Sequence, residues 1–156
     1  MKGIFEEVII VVNDREDFTG EPGVSVVEDL LPGRGPLAAI YTALKVSGRE
    51  MIFVAAGDMP FLQAELIRRL LDIARRKDCD CVIPRNDVGY EPLHAVYSAS
   101  GLDEFERAAR GDDLSIWAAF SQLNTFYVDT TPAERRSFFN INTPEDLKRA
   151  IRGNQE

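Results

Sequence analysis

Met51 to Leu62 reads MIFVAAGDMPFL, and this stretch decides the fold. The apolar run Met51 to Ala56 stops at Gly57-Asp58, and Pro60 interrupts regular structure before a helical pattern opens. A short apolar run bounded by Gly and Pro reads as a strand buried on both faces, the mark of a parallel sheet. Ligands of open α/β sheets gather where such strands end. A lone carboxylate at that point, Asp58, suits a divalent metal held against phosphate oxygens. The same residue could instead cap the turn into the next helix. Both readings stand on this segment alone.

Outward from it, the same alternation repeats. Val8 to Val12 (VIIVV) is a β-branched run closed by Asn13-Asp14, and Val24 to Val27 is a second short strand ending at Glu28-Asp29. A loop is expected over Arg15 to Gly23. Pro36 suits a first helical position, with Leu37, Ile40, Tyr41 and Leu44 at i, i+3, i+4 and i+7 and Gly48 as the stop. Gln63 to Lys77 is the cleanest helix, apolar along Ile67, Leu70, Leu71 and Ala74. Its arginines read as a solvated face, not as a phosphate clamp. Strands follow at Cys81 to Ile83, Leu93 to Tyr97 and Thr125 to Val128, and helical periodicity at Leu102 to Ala109 and Ser115 to Leu123. Thr143-Pro144-Glu145-Asp146 carries N-cap, first-position Pro and capping-box signals. Strands alternating with helices predict one α/β domain over residues 1–156, a three-layer sandwich around a mostly parallel sheet. Right-handed crossovers would set Asn13, Asp29 and Asp58 along one carboxyl edge. That convergence favours the ligand reading of Asp58.

Composition narrows the class. A chain of 156 residues with 45% hydrophobic residues buries a real core. A net charge of -8 excludes a broad nucleic-acid face. No apolar stretch reaches the roughly 20 residues that span a bilayer. Glu6 and Glu7 sit where a secretory signal needs an apolar core, so the cytoplasm is the expected compartment. Cys79 and Cys81, spaced C-x-C on one strand face, read as core residues rather than a metal or redox pair.

Four segments taken together resemble the molybdenum cofactor guanylyltransferases, nucleotidyltransferases with a Rossmann-like fold. They are Val26-Val27-Glu28-Asp29, Gly35-Pro36-Leu37-Ala38-Ala39-Ile40, Gly57-Asp58-Met59-Pro60-Phe61-Leu62, and Phe139-Asn140-Ile141-Asn142-Thr143-Pro144-Glu145-Asp146-Leu147. The resemblance implies guanylyl transfer from GTP to the phosphate of a pterin-bound molybdenum cofactor, with release of pyrophosphate. It implies Asp58 as the Mg²⁺ ligand and Asn13 and Asp29 as guanine-nucleotide contacts. Gly35, Pro36 and Leu37 would wall the base, and Asn140 and Asn142 would lie toward the acceptor. His94, in the family-like segment Glu91 to Tyr97, reads as a packed or surface histidine rather than a functional one. A cytidylyltransferase or another cofactor nucleotidyltransferase, and a non-catalytic binding module of the same fold, are the alternatives.

The family's opening strand and Gly-rich phosphate loop are not matched by any segment here. The expectation is therefore a fold lacking its first βα unit, with Arg34 as a candidate phosphate contact. Free edges along Val8 to Val12 and Met51 to Ala56, weak triphosphate binding and self-association are expected to follow.

Overall fold

The computed structural model describes residues 3–14 and 22–152. The loop expected over Arg15 to Gly23 falls, as far as Glu21, outside the described residues. In chain order the elements are β1 (Val8–Val12), β2 (Val24–Glu28), α1 (Gly35–Ser47), β3 (Met51–Ala55), α2 (Ala64–Arg76), β4 (Cys81–Arg85), β5 (His94–Ser98), α3 (Leu102–Arg110), α4 (Trp117–Phe120), β6 (Thr125–Asp129) and α5 (Pro144–Arg152). A 3₁₀ segment, Pro132–Phe138, precedes α5. Gly48 ends α1 at φ 58°, a left-handed conformation that glycine adopts without steric cost.

The architecture is α/β in three layers. On β4 and β5, alternate residues face opposite ways. Cys81, Ile83, Ala95 and Tyr97 join Leu37, Tyr41 and Leu44 of α1 and Phe105 of α3 in one core. Val82 and Val96 join Leu66, Ile67 and Leu70 of α2 in the other. The period-2 side-chain alternation of a strand thus gives each face its own helical layer.

Strand directions are more mixed than a mostly parallel sheet. β1 and β2 pair parallel, and so do β4 and β6. β5, however, runs antiparallel between β3 and β4. The reason is the length of the β4–β5 link. Residues 86–93 are too few for a crossover helix, and parallel neighbours need a dozen or more. The link instead turns back, with Arg85 bridging Tyr90. A consequence is that the amino end of β5 lies beside the carboxyl end of β3, with Ala55 opposite His94.

Two further expectations are corrected. Cys79 precedes β4, so strand alternation does not govern it, and it packs on the α2 side while Cys81 packs on the other. Both thiols are free, and burial pushes Cys81 up to about 12. The helical periodicity at Ser115 to Leu123 yields only the single turn of α4.

β1 and β3 do not pair with each other; each belongs to a different sheet. Yet α1 packs across both. Every residue of β1 and β3 is only partly buried, although both runs are apolar, whereas His94 to Tyr97 of β5 are fully covered. Part of the α2 side is patched by Phe5, whose ring stacks on Phe53 at 5.8 Å. Unpaired apolar strand edges template pairing with another chain. We therefore expect concentration-dependent self-association in sedimentation velocity; a single monomeric species across the micromolar range would refute it.

Candidate active site

Asp58 sits in the turn that follows β3. Ala56 N–H donates to the Leu93 carbonyl at 2.9 Å, and Met59 N–H returns to the Ala56 carbonyl at 3.3 Å, so the turn is pinned to the β5 side. The helix-cap reading of Asp58 does not hold. α2 begins at Ala64 with Gln63 as its N-cap residue, well downstream. The Asp58 Oδ1 is instead buried without a hydrogen-bond partner among the described residues. A buried carboxylate oxygen with no donor costs on the order of 1–3 kcal/mol, which the fold tolerates where a ligand supplies the missing partner.

The closing motif meets this turn directly. Ile141 N–H donates to the Asp58 carbonyl at 2.9 Å, laying Asn140 and Asn142 on either side of the contact. Asn140 Oδ1 is likewise buried and unpartnered, while the Asn142 side chain is exposed. The motif is held by its own capping box. Asp146 Oδ2 accepts Thr143 N–H at 3.0 Å, and Asp146 N–H donates to Thr143 Oγ1 at 3.1 Å. The Thr143 hydroxyl bond leads the causes that hold the Asp146 carboxyl below its usual range. Ser137 Oγ and both ring nitrogens of His94 complete a group of buried polar atoms without partners. His94 packs edge-on against Phe53 and Phe138, each at 5.0 Å between ring centres, and burial lowers its pKa to about 4.

The other sequence candidates make none of these contacts among the described residues. Asp29 is buried after β2, where its Oδ1 accepts the Thr42 hydroxyl at 2.7 Å and Leu31 N–H at 3.1 Å. Its Oδ2 carries no hydrogen bond among the described residues. Asn13 is exposed at the end of β1, next to Asp29, whose N–H donates to the Val12 carbonyl at 2.8 Å. Gly35 and Pro36 are exposed at the start of α1, but the Leu37 side chain is fully buried in the core. Leu37 can offer a ligand its backbone alone. Arg34 is engaged elsewhere: its guanidinium donates to the carbonyls of Ala109 at 3.0 Å and Gly111 at 2.8 Å, at the end of α3.

Sequence reasoning missed a cleft of about 640 Å³ beside the Asp58 turn, lined by Phe61, Glu91, Arg135, Arg136, Phe139 and Arg149. The Arg135-Arg136 doublet beside Phe138-Phe139, just ahead of the asparagine motif, was the signal available. The 3₁₀ segment that carries the doublet is fastened to α2. Arg69 donates to both Glu134 oxygens at 2.9 Å, and Gln63 Nε2 donates to the Ala133 carbonyl at 3.0 Å.

For a divalent metal, the donor set is spare. Among the described residues no group of three or more His, Cys, Asp or Glu side chains could enclose an ion. One open carboxylate still fits Mg²⁺, which keeps several waters and takes one or two carboxylates together with substrate phosphates. Among the described residues no helix is long and apolar enough to cross a membrane.

Known proteins resemble this chain over most of its length. A probable molybdenum cofactor guanylyltransferase of Natranaerobius thermophilus is 35% identical over 155 residues, covering 94% of this chain and 76% of that protein. The molybdenum cofactor guanylyltransferase of Desulfosudis oleivorans is 33% identical over 159 residues, covering 96% and 76%. The crystal structure of molybdopterin-guanine dinucleotide biosynthesis protein A from Archaeoglobus fulgidus superposes with a TM-score of 0.80 at 36% identity, covering 91% of this chain and 75% of that one. A 2-C-methyl-D-erythritol 4-phosphate cytidylyltransferase from Thermus thermophilus shares the fold, with a TM-score of 0.69 at 16% identity. The family model for the MobA-like NTP transferase domain matches residues 1–125, and the chain belongs to that family.

Proposed function

We propose that this protein is a nucleotidyltransferase that joins the guanylyl group of GTP to the terminal phosphate of a molybdenum–pterin cofactor, working in the cytoplasm on soluble substrates. The carrying observation is the meeting of Asp58 and Asn140, whose buried Oδ1 atoms lack partners among the described residues where Ile141 is hydrogen-bonded to the Asp58 carbonyl. An acceptor phosphate is already an anion at neutral pH, so its oxygen attacks the α-phosphorus without a strong general base. A P–O bond forms to the acceptor as the bond to the β-phosphate oxygen breaks, and pyrophosphate leaves with the electron pair. Positioning and charge neutralisation are what such a reaction asks of the protein. Mg²⁺ bound at Asp58 would supply neutralisation of the phosphate charge. Asn140 would orient the acceptor through hydrogen bonds, and Asn142 would do so from the exposed side. The direct test is radiolabelled guanylyl transfer to the isolated cofactor; transfer from CTP in preference to GTP would overturn the guanylyl assignment.

Base choice is proposed to rest on Asp29. Its Oδ2 is available to accept from the N1–H and 2-amino group of guanine, while Oδ1 staples the loop to α1 through Thr42 and Leu31. Asp29→Asn keeps an oxygen for those two bonds and puts an NH₂ donor where the acceptor was. We expect its melting temperature to stay near that of the wild type while the preference for GTP over CTP falls about tenfold or more. An unchanged preference in calorimetric titration would remove Asp29 from the base site.

A further inference from the structure

The cleft beside Asp58 carries an arrangement that the transfer reaction alone does not explain. Its Phe61 and Phe139 rings lie 5.8 Å apart, and each belongs to a strand of chain leading from Asp58 or Asn140. Arg136 covers the Phe61 ring at 4.2 Å. The cleft therefore has an aromatic wall and guanidinium groups, and its lining includes Phe61, three residues after Asp58, and Phe139, one before Asn140. Glu91 stands in its wall as a half-buried carboxylate. Arg135 pairs with Asp87 at 2.8 Å, and Arg149 faces Asp146 at 3.7 Å.

Glu91 is nonetheless held firmly. Its N–H donates to the Pro84 carbonyl at 2.9 Å, and its carbonyl accepts His94 N–H at 3.0 Å. Its Oε1 accepts Asn86 Nδ2 at 2.9 Å. The Asn86 amide cannot be turned over without loss, because its Oδ1 already accepts Val88 N–H at 2.7 Å and Gly89 N–H at 2.9 Å. One carboxylate oxygen is thus fixed by the protein, and Oε2 makes no hydrogen bond among the described residues. Burial accordingly pushes the Glu91 carboxyl up, against the Asn86 bond that lowers it. A carboxylate so placed asks for donors from a ligand.

We infer that Glu91 is the residue that selects the acceptor, by accepting from the adjacent ring N–H and 2-amino groups of a 2-amino-4-oxopyrimidine edge, the edge that a pterin presents. The inference rests on the guanylyl-transfer reading for its choice of acceptor. Guanine shares this edge, so the two sources must be separated by experiment. The flat heterocycle lies against the aromatic wall that Phe61 and Phe139 form together, and the guanidinium groups meet the anionic side chain it carries.

The test uses the full chain and two fluorescent probes, 6-carboxypterin and 6-carboxylumazine, which differ by a 2-amino group replaced with a carbonyl. We expect the wild type to quench and bind the pterin at least about tenfold more tightly than the lumazine, because the carboxylate then faces a carbonyl oxygen where the 2-amino donor was. Glu91→Gln should erase that preference while Mg-GTP titration stays within about twofold of wild type. The wild-type comparison needs no variant, so a Glu91→Gln chain that fails to fold does not spare the inference. Equal binding of the two probes by the wild type overturns it, as does displacement of the pterin by GMP, which would assign the cleft to the nucleotide. Selective pterin binding without any GTP binding would leave Glu91 in place and defeat the guanylyl-transfer reading instead.

Discussion

Asp58→Asn is expected to lower guanylyl transfer by about a hundredfold or more while leaving the fold as stable as before. The substitution keeps size and one oxygen but removes the charge that a divalent cation and its phosphates require. The unusual part is the stability. In most buried carboxylates the same change breaks an internal bond and destabilises. Here Oδ1 has no partner to lose among the described residues, and the helix that Asp58 could have capped begins at Ala64. Removing a charge from a carboxylate whose Oδ1 is buried without a partner among the described residues relieves a cost, so the urea midpoint should hold or rise. Asp72→Asn, which alters an exposed ion pair with Arg75 at 3.0 Å, is the control and should leave transfer unchanged. Equal losses of Mg-GTP binding at the two positions would return Asp58 to a structural role.

The contrast between Asp58 and Asp29 shows where the sequence was legible. Both follow apolar strands, and both read alike along the chain. What separates them is tertiary: Thr42, on the far side of a helical turn, reaches Asp29, and nothing equivalent reaches Asp58. Arg34 fell to the same blindness, since its partners at Ala109 and Gly111 are distant in sequence. Apolar runs and turn residues were enough to place every strand and the three-layer plan, because burial on both faces leaves a local mark. The reversed direction of β5 was readable in principle from the short link after Arg85, which no crossover fits. The cleft was not. Its wall is built from Phe61, Glu91 and Arg135, which come together only when the 3₁₀ segment docks on α2 through Arg69 and Glu134.

Acidification from pH 6.5 to about 4 is expected to cost the fold about 3 kcal/mol through His94 alone. The imidazole is fully buried, flanked by Phe53 and Phe138, and neither ring nitrogen has a partner among the described residues. Burial therefore lowers its pKa to about 4, against about 6.5 in an unfolded chain. The sign follows from proton counting. Between those two values the unfolded chain binds a proton that the native state refuses, so stability falls as pH falls. It is fully present above about pH 6.5, and the loss is complete below the native value near 4. Glu91, whose carboxyl is pushed up by burial, works in the opposite direction, so wild-type curves alone would mix the two. The difference between wild type and His94→Leu isolates the histidine. Urea unfolding at pH 7, 5.5 and 4 should show the variant gaining about 3 kcal/mol relative to wild type as the medium acidifies. Because His94 is the chain's single histidine, its ring protons give one unambiguous NMR titration. That resonance should keep the shift of a neutral imidazole down to about pH 5. A midpoint near 6.5 in the folded protein, with wild-type and variant stabilities running parallel, would show that water or an acidic group reaches the ring.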